Sequence, residues 1–179
     1  MKKPATIIVT ILLAVSVFGL AIAQSSVETA DLKGKLNWHK YDEALKIAKE
    51  QDKYLLVFFT TNWCKFCKLM KKNTFTDPEV FQLMDEKFVL AQVYGDSKDV
   101  VSVAGKDGTM SELTETQLSR AFGIKGYPTT IFMKSDGTTI APISGYWKPE
   151  QFEMALKFIS SGAYENISFK DFAEKQKKG

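Results

Sequence analysis

Cysteine and histidine are scarce in this chain: among 179 residues there are two cysteines, Cys64 and Cys67, and one histidine, His39. A closed structural zinc site needs four protein ligands, and only His39 is left to join the two thiols. The metal reading of Cys-x-x-Cys therefore lacks donors, and no metal or other cofactor is assigned. A disulfide framework is missing too. The one bridge the chain can make closes a very short loop, which constrains the unfolded state little, so a purely structural staple explains the pair poorly. There is no internal repeat and no low-complexity linker, which leaves a single folded unit as the simplest organisation.

What is present begins with the amino terminus. Met1, Lys2 and Lys3 give a short positive start, and the apolar run from Ile7 to Ile22 closes in Ala21-Ile22-Ala23. Small residues at both ends of that tripeptide suit a signal peptidase, so residues 1–23 read as a signal peptide cleaved after Ala23. The alternative is an uncleaved anchor, against which Thr10, Ser16 and Gly19 interrupt a run that barely reaches spanning length. No cysteine follows it to carry a lipid. Export implies a periplasmic location and no stable membrane insertion once the signal is gone. Removing 23 residues leaves 156, enough for one domain with a sizeable core. Losing Lys2 and Lys3 takes the formal charge from +3 to +1, which gives no electrostatic reason to expect a nucleic-acid partner.

Hydrophobic patterning predicts a helix over 38–51, with Tyr41, Leu45 and Ala48 on one face. Tyr54 to Phe59 is a continuous apolar run that suits a strand buried on both sides. A helix starting near Cys64 runs to Lys72, with its lysines toward the far end. The next helix is capped either by Asp77, with Pro78 in its first turn, or by Thr76 with Glu79 reaching back. Phe88 to Tyr94 reads as a second buried strand. Residues 95–114 are polar and turn-rich, apart from Val100 to Ala104, which with the following Gly105 to Gly108 forms a candidate hairpin. Glu115 to Phe122 is helical and stops at Gly123. Tyr127 to Met133 and Thr139 to Ser144 make an antiparallel pair around Ser135-Asp136-Gly137-Thr138. Pro149 opens the last main helix, Gly162 ends it, and Ser168 caps a short tail helix carrying Phe169 and Phe172. Strands with crossover helices first, then a hairpin and a helix, predict an α/β domain with a mixed central sheet flanked by helices.

Two cysteines three apart at a helix start lie on one face, near enough for a disulfide to form and break without unfolding the helix. Cys64 sits at the positive end, where unpaired amides favour the thiolate and lower its pKa from about 8.5 toward roughly 7. Lys65 and Lys68 add positive charge and are assigned to thiolate tuning. Cys67, one turn inward, is the resolving residue. Cys64 and Cys67 are thus the candidate catalytic residues and the candidate redox-active disulfide. Trp63, Phe66 and Tyr127 have two readings, as packing groups or as apolar surface offered to a substrate beside the pair.

The run Trp63-Cys64-Lys65-Phe66-Cys67-Lys68 after an apolar strand, followed later by Gly126-Tyr127-Pro128-Thr129, resembles the thioredoxin superfamily. The resemblance implies a thioredoxin fold over 37–162, preceded by an extension at 24–36 and followed by a tail at 163–179. It implies that Pro128 follows a cis bond against the cysteines and that the Tyr127 backbone pairs with a bound substrate strand. Trp63, Phe66, Tyr127 and Pro128 are accordingly the substrate-binding candidates. Thr74-Phe75, Asp77-Pro78, Gly145-Tyr146 to Phe152, Gly162-Ala163-Tyr164 and Phe169 are similar to exported thioredoxin-related proteins of bacterial sulfur-oxidation systems. One departure stands out: thioredoxins carry a buried carboxylate six residues before the first cysteine, and here that residue is Phe58.

These readings predict a dithiol/disulfide enzyme that reduces exported proteins bearing disulfides and is recharged by a thiol-disulfide electron donor. Reduction is favoured because the chain is short and has no helical insertion of the kind oxidases carry. An oxidant or isomerase, and a non-catalytic binding or metal-delivery module, stand as alternatives. Residues 95–114 are a candidate specificity flap.

Overall fold

Tyr54–Thr60 (β2) takes the centre of the sheet because its five middle side chains are apolar: Leu55 to Phe59 are fully buried. The structure, a computed structural model, describes residues 35–105 and 109–178, all within one compact unit, Lys33–Gly179. The signal peptide, its cleavage point after Ala23, and the extension up to residue 34 lie outside the described residues.

Phe88–Tyr94 (β3) pairs parallel with β2, Leu56 opposite Leu90. On the other side Thr129–Met133 (β6) runs antiparallel to β2, with Thr139–Ser144 (β7) outside it. Trp38–His39 (β1) lies parallel to the outer side of β3. The sheet order is therefore β1-β3-β2-β6-β7. This mixed sheet flanked by helices agrees with the fold expected from the sequence. The first helix, however, is shorter than expected. It is Tyr41–Gln51 (α1), and Trp38 belongs to β1, where its indole packs on Phe58 and Phe75 at 5.9 and 5.6 Å.

Strand alternation divides the apolar run of β2 between two cores. Leu55, Val57 and Phe59 face α1, Glu115–Ala121 (α4) and the hairpin formed by Val100–Ala104 (β4) and Met110–Thr114 (β5). Leu56 and Phe58 face the other side with Cys64, Cys67, Met70 and Phe152. That side is covered by the helical run Lys65–Leu69 (α2), its π-helical continuation Met70–Thr74, Pro78–Lys87 (α3), Pro149–Ser160 (α5) and Phe169–Lys178 (α6). Each buried Leu, Val or Phe contributes roughly 1.5–3 kcal/mol, so both faces are needed to offset chain entropy.

Local signals place the helix ends. Asp77 caps α3 by accepting from the Val80 N–H at 3.2 Å, while Thr76 instead donates back to the Lys72 carbonyl. Thr114 and Gln117 form a reciprocal capping box on α4. Gly162 leaves α5 at φ +71°, a left-handed turn that glycine adopts without strain. The Ser168 hydroxyl accepts from the Asp171 N–H at 3.2 Å at the start of α6.

Candidate active site

The carboxyl end of β2 delivers the chain to the cysteine pair. After Thr60 a tight turn brings the Cys64 N–H onto the Thr61 carbonyl at 3.3 Å, and α2 starts immediately afterwards. Asn62 anchors this turn sideways, its N–H donating to the Asp96 carboxylate at 3.1 Å. Cys64 is the capping residue of α2. Its backbone is extended, and its sulfur accepts from the Cys67 N–H at 3.1 Å. That amide is one of the donors a helix start leaves without an internal partner.

Cys64 and Cys67 are joined as a disulfide, with Cα atoms 5.3 Å apart. Both are buried, Cys64 at 4% exposure and Cys67 at 1%. The rings flanking them are not. Trp63 is 71% exposed and Phe66 58%, the most exposed aromatic side chains among the described residues. The disulfide thus sits at the head of a helix with both cysteines shielded from bulk solvent and two large apolar rings exposed beside them.

Opposite the pair lies the loop before β6. The Tyr127-Pro128 peptide bond is cis, and Pro128 is buried. The Pro128 carbonyl accepts from the Gly145 N–H at 2.8 Å and Thr129 Oγ1 donates to the Gly126 carbonyl at 2.8 Å, so the loop is tied at both ends. The Tyr127 N–H and carbonyl take no backbone partner among the described residues. The Tyr127 ring meets Trp63 edge-on at 6.2 Å. Its phenol occupies the space where a side chain at Gly95 would stand, 1.7 Å from the position of a Cβ there. Gly95 is held in turn by its N–H on the Thr60 carbonyl at 2.8 Å. An open groove of about 480 Å³ runs past Tyr127 and Pro128 between Phe122 and Gly145.

The structure thus brings Trp63, Cys64, Phe66, Cys67, Tyr127 and Pro128 to one end of the sheet. Lys65 and Lys68 are on the same helix but exposed, where salt and water screen their charge. Phe58 is fully buried in the same cluster as the pair and meets Phe75 edge-on at 5.0 Å. One residue escaped the sequence reading. Lys71 is half-buried, its Nζ 5.7 Å from the Phe58 ring centre and 5.4 Å from that of Tyr94, and burial draws its ammonium below the usual lysine range. Its place four residues after Cys67 was the available signal. His39 bonds Asn37 at 3.0 Å and lies 3.4 Å from Glu43, away from the cysteines on β1. No cluster of metal-ligating side chains occurs among the described residues.

Comparison with known proteins supplies the relationship. The sequence profile of the thioredoxin-like domain family matches residues 41–160. The thiol:disulfide interchange protein DsbD of Photorhabdus laumondii is 24% identical over 145 residues, 79% of this chain and 22% of that protein. DsbD of Neisseria meningitidis serogroup B is 29% identical over 126 residues, 70% of this chain and 17% of its own length. The chain therefore spans about a fifth of the length of these relatives. Among solved structures, a thioredoxin-fold protein from Helicobacter pylori superposes with a TM-score of 0.61 at 26% identity, over 72% of this chain and 82% of the other. A thioredoxin from Thermus thermophilus gives 0.56 at 24% identity over 70% and 88%.

Proposed function

Because the chain belongs to the thioredoxin-like domain family, we propose that it is a thiol-disulfide oxidoreductase that reduces disulfides of exported proteins, working in the periplasm after loss of residues 1–23. The observation that carries this reading is the Cys64 sulfur at the head of α2, receiving the Cys67 N–H at 3.1 Å. A thiolate at Cys64 keeps that donor, and the helix start favours its negative charge.

In the reduced enzyme the Cys64 thiolate attacks one sulfur of a substrate disulfide. The substrate S–S bond breaks, its departing sulfur takes a proton, and a mixed disulfide forms. Cys67 then loses its proton and attacks Cys64, which breaks the mixed disulfide and releases the second substrate sulfur as a thiol. Two electrons have passed to the substrate, and the enzyme holds the Cys64–Cys67 disulfide. A dithiol donor reverses that state and is itself oxidised.

The unpaired Tyr127 backbone is available to an extended substrate segment, and the exposed Trp63 and Phe66 rings beside the cysteines offer apolar surface to it. Residues 37–162 carry this activity in the proposed organisation, and 163–179 form a tail whose helix α6 packs on α5 through Phe169 and Phe172. Lys65 and Lys68 contribute weak long-range charge. The resemblance to exported thioredoxin-related proteins of bacterial sulfur-oxidation systems offers one setting for this proposed activity.

Two measurements test the proposal. Cys67→Ala is expected to accumulate covalent mixed disulfides through Cys64, seen as adducts on non-reducing gels that dithiothreitol removes; an adduct-free Cys67→Ala protein rejects the mechanism. Equilibration with glutathione fixes direction. A potential near that of strong oxidants, about −120 mV, replaces reduction by the oxidant or isomerase reading.

A further inference from the structure

Lys71 follows Cys67 by four residues in a continuous helical run, which returns it to the same side of the helix. Its Nζ rests against the Phe58 and Tyr94 rings, and Phe58 shares one buried cluster with Cys64 and Cys67. Ring faces attract a cation, but they supply no full counter-charge. Among the described residues Lys71 makes no ion pair. No carboxylate other than Glu115 is buried among the described residues. Glu115, the buried carboxylate among the described residues, is engaged elsewhere, with the Tyr94 backbone and Ser97 at the start of α4. Burial lowers the Lys71 pKa, as it does for a cation that has given up water without gaining an anion.

We propose that Lys71 is the counter-charge of the cysteine pair: its ammonium stabilises the thiolate formed when the Cys64–Cys67 bond opens, and thereby sets how firmly the pair holds electrons. This rests on the redox reading of the pair given above. In the step concerned, an external dithiol delivers two electrons and becomes a disulfide. The Cys64–Cys67 bond breaks, one sulfur takes a proton, and the other is left as a thiolate in the cluster whose Phe58 ring carries the Lys71 ammonium. The anion missing around Lys71 in the oxidised protein is thus supplied by reduction itself. Lys71 acts through the charge of the sulfurs and is a positioning residue for that charge.

Other titratable groups belong to the elements packed around it. They include Tyr94 on β3, Asp96 just beyond β3, His39 on β1, Tyr146 and Lys148 before α5, Glu150, Glu153 and Lys157 on α5, and Lys68 and Lys72 on its own helical run. On β2 the residue against it is Phe58, which does not titrate.

The decisive comparison is between Lys71→Met, which keeps an apolar stem, and Lys71→Arg, which keeps the charge. Thiolate absorbance in the ultraviolet against pH, and the reduced fraction at fixed glutathione ratios, are read for both. Lys71→Met is expected to raise the pH at which the thiolate appears by about one, and to disfavour the reduced form about tenfold, or roughly 30 mV for two electrons. Lys71→Arg is expected to match the unchanged protein. A third readout needs no variant: in nuclear magnetic resonance, the Lys71 side chain should titrate at higher pH in the reduced protein than in the oxidised one. A Lys71→Met protein that titrates normally overturns the proposal. So does a Lys71→Arg protein displaced as far as Lys71→Met, or a Lys71 titration indifferent to redox state. If the unchanged pair exchanges with glutathione and any of these holds, the Lys71 role falls alone; if the pair does not exchange at all, the proposed function falls with it.

Discussion

Single residues around the cysteines carry energies that can be separated by substitution. Thr61 Oγ1 is buried with no hydrogen-bond partner among the described residues, one turn before Cys64. Thr61→Val preserves the shape and removes a desolvated hydroxyl, so it is expected to leave stability unchanged or raise it by up to about 1 kcal/mol in denaturant titration. A clear loss instead reveals a buried water bonded there. Glu115 gives a pH-dependent case. Burial pushes its carboxyl up, against hydrogen bonds from the Tyr94 backbone and Ser97 that pull it down. The folded chain therefore holds this proton more tightly than the unfolded chain. The contribution is fully present below the ordinary carboxylate range and is lost as pH rises through the raised folded value. Glu115→Gln is accordingly expected to melt above the unchanged protein at neutral pH, with the gap closing on acidification. The residues of the site differ in how openly the sequence announces them. Cys64, Cys67 and Pro128 stand in short local patterns. Lys71 does not, because its meaning depends on Tyr94, a residue of another strand that only folding brings against it.

Elements are placed by caps and by the geometry of their joints. Asp77→Ala removes the acceptor for the Val80 N–H and is expected to cost about 1 kcal/mol in unfolding free energy, with activity retained. Gly95→Ala is different in kind. A Cβ there would lie 1.7 Å from the Tyr127 hydroxyl and 2.4 Å from the ring carbon bearing it, so the Tyr127 ring must move. A loss of about tenfold in kcat/KM is expected toward a protein disulfide, against little change toward a small-molecule disulfide; equal losses on both remove the link between this joint and substrate docking. The sequence made the principal strands and helices readable because each carries its own periodicity or cap. Trp38 misled it. Its neighbours fit a helical spacing, but two residues of strand satisfy backbone donors along β3 and place the indole on Phe58 and Phe75. The π-helical turn at Met70–Thr74 was equally hidden, being tied by the Thr74 hydroxyl to the Trp147 carbonyl at 2.7 Å, a contact made far along the chain.

At the scale of the whole molecule, the core on the cysteine side is rich in tilted and edge-on aromatic contacts, one set near the site and another at the tail helix. Phe152 joins Phe75 at 5.5 Å to Phe132 at 6.2 Å, and Phe158 meets Phe169 and Phe172 at 5.4 and 5.3 Å. Phe152→Ala is expected to cost about 3–5 kcal/mol in equilibrium unfolding, since this packing is too dense to collapse into the void. The sheet itself has one further consequence. Its two margins are β1, only two residues long, and β7, where Pro142 leaves one backbone donor fewer. Neither border offers a long ladder of free amides for another molecule to extend, which discourages fibrous self-association. The chain can thus hold two bare aromatic rings in solvent at one end without inviting its copies to stack along the other strands.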